Sequence, residues 1–116
     1  MTHPIDHYYN LVETVLTEYK VDPATARGQN PGQWNLKLGS ASVWVDIFQT
    51  KDAQGNLTQN GYIQVIAPIC EVPVNNQHIF TRELLEANHS LYGVGFTIYK
   101  DWAYIKSIRE LKKYHR

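Results

Sequence analysis

Cys70, Asn88 and His89 are the residue types of a cysteine-protease triad: a thiol, an imidazole base and an amide to orient it. Their spacing argues against that chemistry. Asn88 and His89 are neighbours, and successive residues of a helix point about 100° apart, so Asn88 is poorly placed to orient His89. Cys70 closes the apolar run VIAPIC, where a small buried thiol is the ordinary reading. Ser90 has no strand-turn-helix elbow to present it as a nucleophile. His3 and His7 stand at i, i+4 and could pinch a metal, but no glutamate lies between them in an HExxH pattern. Two ligands do not close a zinc site. The residues predict no catalytic group, no metal ligand and no cofactor.

A second chemistry is nucleic-acid binding. From Lys100 to Arg116 six Lys/Arg stand against Asp101 and Glu110, with Trp102, Tyr104 and Tyr114 interleaved. Such a mixture could hold phosphates and stack bases. Over the whole chain, however, Lys+Arg and Asp+Glu both number 11, which leaves no concentrated positive footprint. No RNP-like strand accompanies the tail, so its lysines are expected on the solvated face of a closing helix. A nucleic-acid partner is not expected. Were there one, binding would depend on salt and on Lys112, Lys113 and Arg116.

The 116 residues suit one domain, residues 1–116, with a modest core, and 43% hydrophobic and 12% aromatic content argue for a folded chain. Cys70 is the only cysteine, which excludes an internal disulfide and a cysteine-rich zinc site. The amino terminus has neither a basic start nor an apolar stretch, and no run approaches the roughly 18 to 20 apolar residues of a membrane span. A soluble cytoplasmic protein is the expectation.

Local patterns predict the elements that must position these residues. Ile5, Tyr8, Val12, Val15, Leu16 and Tyr19 form one apolar stripe at helical spacing. Thr2 and Pro4 suit the start, and Pro23 should stop the helix near Lys20. After the loop RGQNPGQ, Trp34, Leu36 and Leu38 alternate as a strand, with a turn at Gly39-Ser40. The next strand puts Val43, Val45 and Ile47 on one face and Trp44, Asp46 and Phe48 on the other. A polar loop follows, then GYIQVIAPI, with Pro68 and Pro73 expected to end the strand or confine it to a sheet edge. Residues 76 to 91 return to helical period, and Gly93 or Gly95 lets the chain leave the helix. Two short strands turn at Lys100-Asp101, and Ile105, Ile108, Leu111 and Tyr114 fit a closing helix. The predicted order is α-β-β-β-α-β-β-α, an α+β fold with an antiparallel sheet flanked by helices.

Both faces of several strands are apolar, more than a sheet with one wet face requires. Trp44, Phe48, Tyr62, Ile66, Tyr99 and Trp102 are the candidate protein-contact residues, because Trp and Tyr concentrate at the energetic centres of interfaces.

The helix end Leu84-Leu85-Glu86-Ala87-Asn88, then Leu91, Gly93, Gly95 and a strand pair ending near Ile105, resembles the type III secretion chaperone-like fold. Within it the pattern is similar to YbjN-type, or Tir chaperone-like, bacterial proteins. The resemblance implies a cytoplasmic homodimer without catalysis. It also implies a client or regulatory protein as partner, a segment of which is held along apolar patches. A different class of reading is a small-ligand binder or enzyme with a cone-shaped α+β fold and a pocket around Asp46, Gln64 and Tyr99.

Overall fold

The computed structural model describes residues 4–111. Its elements run α1 (Pro4–Glu18), α2 (Pro23–Ala26), β1 (Gln33–Leu38), β2 (Ala41–Lys51), β3 (Leu57–Glu71), α3 (Gln77–Asn88), β4 (Gly95–Tyr99) and β5 (Trp102–Glu110). The five strands make one antiparallel sheet in the order β1-β2-β3-β5-β4. The fold is α+β, with helices against the sheet, as the alternation and turn residues predict.

Turn chemistry explains the hairpins. Gly39, at φ +64°, sits in the two-residue link between β1 and β2. Lys100 and Asp101, at φ +49° and +67°, both occupy the left-handed region that a two-residue hairpin turn needs. Between β2 and β3 the Asp52 carboxylate accepts hydrogen bonds from the backbone N–H groups of Gln54 and Asn56, which closes the loop locally.

The core lies on one face of the sheet. Leu16 of α1, Ala26 of α2, Trp34 of β1 and Val45 and Ile47 of β2 are buried together, with Tyr9, Val12, Leu36 and Ile63 packed around them. Trp34 is only 2% exposed. Tyr9 meets it edge-on, ring centroids 6.0 Å apart, and the Glu13 carboxylate accepts its indole N–H at 2.9 Å. The same carboxylate takes two 2.7 Å bonds from the Arg27 guanidinium. Hydrogen bonds from Arg27 and Trp34 hold Glu13 down to a pKa of about 2. Gly32 completes this corner. At φ +85° its carbonyl accepts from Ile47 N–H, and a Cβ there would fall 2.7 Å from the Ile47 oxygen and 2.9 Å from the Tyr9 ring.

Three expectations are corrected. Ile105 and Ile108 lie in β5, not in a closing helix, because β5 runs on to Glu110 along the 15-residue β3. Tyr114 and the basic residues Lys112, Lys113 and Arg116 lie outside the described residues, as do Thr2 and His3. Pro68 neither ends β3 nor confines it to an edge of the sheet. Pairing with β2 stops at Trp44–Ile66 while pairing with β5 continues through Pro68–Tyr104, so the missing N–H falls where one neighbour has already been lost. Pro23 does not itself stop α1, which ends at Glu18 with Lys20 at φ +64°. Instead Pro23 opens α2, capped by the Asp22 carboxylate accepting from Ala24 N–H.

Candidate protein-contact surface

Residues directly opposite on neighbouring strands share a face, so the register defines the second side of the sheet. Across β2 and β3 the pairs are Trp44–Ile66, Asp46–Gln64 and Phe48–Tyr62. Across β3 and β5 the rows continue to Lys106, Ile108 and Glu110, and Pro68 pairs with Tyr104. The hairpin of β4 and β5 adds Tyr99 opposite Trp102. All six candidate contact residues therefore project from the face opposite Trp34, Val45 and Ile47. The helices meet the sheet elsewhere: α1 against β2 on the core face, α3 against β4 at the sheet edge.

The side chains of this face shelter one another. Phe48 and Tyr62 stack with centroids 5.8 Å apart, and Trp44 approaches Tyr104 at 6.3 Å. Trp44, Phe48, Tyr62 and Ile66 are consequently half-buried. At the hairpin end Tyr99 is 64% and Trp102 39% exposed, and the Lys100 ammonium lies 5.3 Å from the Tyr99 ring centroid. The structure thus divides the six into a central group of four and a terminal pair.

Asp46 interrupts the aromatic floor. Its carboxylate accepts one long bond, 3.4 Å, from the Gln64 amide, and its burial between Trp44 and Phe48 raises its pKa above the ordinary value. Asp46 and Gln64 meet as expected. Tyr99, the third residue of the expected pocket, lies three strands away on β4 and beyond the far end of the Trp44 row, so the trio does not converge.

The residues with triad chemistry are differently employed. The Asn88 side chain accepts the backbone N–H of Phe96 at 2.6 Å and donates to the Phe96 carbonyl at 3.1 Å. It pairs with edge strand β4 as another strand would, which satisfies backbone groups that an open edge leaves unpaired. Nothing in the local sequence signals this role; a Cβ at the neighbouring Gly95 would make only ordinary contact with Asn88, 3.5 Å from its Oδ1. His89 and Ser90 are exposed at the helix end, and Cys70 is a free thiol opposite Ala103. Among the described residues no three His, Cys, Asp or Glu side chains are grouped to hold a metal, and no helix is long and apolar enough to cross a membrane. Sequence reasoning missed the Glu13–Arg27–Trp34 latch, whose members are 14 and 21 residues apart.

No family model matches the chain, and no curated protein matches it.

Proposed function

We propose that this chain is a non-catalytic, cytoplasmic protein-binding protein of chaperone-like or regulatory character, acting as a homodimer that holds a segment of a client protein. The observation that carries this reading is the aromatic sheet face. Trp44, Phe48, Tyr62, Ile66, Tyr99 and Trp102 project from one side of a sheet whose buried core lies on the other. An apolar area of this kind, set among polar groups, is the physical mark of a protein contact. The likeness of the helix end and hairpin to chaperone-like proteins agrees with it.

The terminal pair is the place to test client binding, since both rings stand exposed. On an array of immobilised extended peptides rich in apolar residues, the wild-type chain is expected to bind a subset. Tyr99→Ser with Trp102→Ser should reduce that binding at least tenfold while the circular dichroism spectrum stays unchanged. Equal binding by both proteins, or none by either, would count against the reading.

A further inference from the structure

We propose that the Asp46 carboxylate seats an arginine side chain of the bound segment, its guanidinium held between Trp44 on one side and the Phe48–Tyr62 stack on the other. The inference rests on the reading of this face as a client-binding surface and names the residue type that the surface selects.

An uncompensated charge is the first argument. Asp46 sits in a cross-strand row with Gln33 on β1, Gln64 on β3 and Ile108 on β5. It is half-buried, yet among the described residues its carboxylate accepts only the 3.4 Å hydrogen bond from Gln64. Neither ion pair among those residues includes it, since Arg27 is held by Glu13 and Arg82 by Glu86. The two lysines placed on its face by the register are also elsewhere. Lys37 donates to the Ser42 hydroxyl at 2.8 Å, and Lys106 stands two strand spacings and one pleat repeat away, about 12 Å. A partly buried carboxylate without a cation is costly, and its raised pKa is the sign of that cost. A cation from outside the chain removes it.

The surroundings choose the cation. Trp44 and Phe48 flank Asp46 along β2, each one pleat repeat or about 6.8 Å away, so a cation over the carboxylate lies within reach of both ring systems. Tyr62 stacks on Phe48 and extends that wall. Gln64 donates its amide N–H to Asp46, which turns its own carbonyl oxygen into a further acceptor beside the carboxylate. A guanidinium matches this set: it is planar, stacks on rings and carries several N–H donors for adjacent oxygens, whereas an ammonium is a compact point charge. The approach is open on both flanks, with Ile108 at the end of the row 48% exposed and Asn35, opposite Trp44, exposed as well.

An array of apolar peptides, each made with arginine or with its neutral isostere citrulline at the centre, tests the seat on the full chain. The wild type is expected to bind the arginine forms at least about tenfold more tightly. Asp46→Asn, with an unchanged circular dichroism spectrum, should reduce that preference to about twofold or less while binding the citrulline forms as the wild type does. Glu110→Gln removes the same charge from the same face, two strands away, and should keep the preference. Equal binding of both forms by the wild type, a preference that survives in Asp46→Asn, or one lost equally in Glu110→Gln would each overturn the proposal. Peptide binding that persists in any of these cases leaves the client reading standing, because that reading is tested at Tyr99 and Trp102. Binding of neither form by the wild type would remove both.

Discussion

The two faces of the sheet are built from the same strands by the same alternation, yet among the described residues helices cover only the β1–β2 part of one of them. Around Trp34 every large side chain has a partner from α1, α2 or β1, and even the indole N–H is satisfied by Glu13. Around Trp44 the neighbours are other residues of the same face, Tyr104 and Ile66, and among the described residues the helices pack elsewhere. Closure also thins out along the core face itself, where Val65 and Ile98 remain exposed. Apolar content alone therefore does not define a core. What distinguishes the two tryptophans is whether a second layer of the same chain reaches them.

The sharpest way to break the comparison is to truncate one tryptophan on each face. Trp34→Ala removes a wholly buried ring and should cost about 3 to 5 kcal/mol of stability in urea denaturation. Trp44→Ala, measured at a concentration low enough to keep the chain monomeric, should cost about 1 kcal/mol or less. Equal losses would mean that both faces are closed within one chain.

Gly32→Ala probes the closed corner from the backbone. A Cβ at φ +85° against the Ile47 carbonyl and the Tyr9 ring should destabilise by about 2 to 4 kcal/mol, whereas Gly39→Ala, with open space around it, should cost only about 1 kcal/mol. Thermal unfolding of the two variants side by side checks this.

Asn88→Ala opens the β4 edge. Losing both bonds to Phe96 leaves a part-buried N–H and carbonyl without a partner, an expected cost of about 1 to 3 kcal/mol. Hydrogen exchange at Phe96 should accelerate well before exchange at Ile47. Asn88→Asp should recover only part of the loss, since a carboxylate accepts the N–H but repels the carbonyl. His89→Ala should change stability by no more than about 0.5 kcal/mol, the contrast expected of an exposed neighbour.

A different kind of test is the pH dependence of the Glu13 latch. Glu13 titrates near 4.5 when unfolded and at about 2 when folded. Between these values the unfolded chain binds a proton that the folded chain does not, so the contribution is complete above about pH 4.5 and fades as pH falls toward 2. The difference in urea midpoint between wild type and Glu13→Gln should shrink over that window.

Much of the architecture was legible because it is local. The turn at Lys100-Asp101, the glycine exit from α3 and the alternation of Val43, Val45 and Ile47 against Trp44, Asp46 and Phe48 all depend on a few adjacent residues. The closing helix failed for an equally physical reason. Ile105, Ile108 and Leu111 suit a helical stripe, but Ala103, Ile105 and Ser107 also alternate with Tyr104, Lys106 and Ile108. A local pattern that satisfies both periods is decided by its partner, and β3 is long enough to offer a ladder through Glu110.

The candidate surface divides in the same way. Sequence by itself determined which residues share a face, since strand alternation has a fixed period of two, and so it could group Trp44 with Phe48 and Tyr62 with Ile66. It could not say which face α1 would cover, that Asn88 would serve as a substitute strand, or that Tyr99 would stand three strands from Asp46. Those follow from contacts between residues distant in the chain, whose energies depend on which layers meet, and no local propensity encodes that. Only the tertiary structure separated the tryptophan that holds the fold together from the one left facing outward.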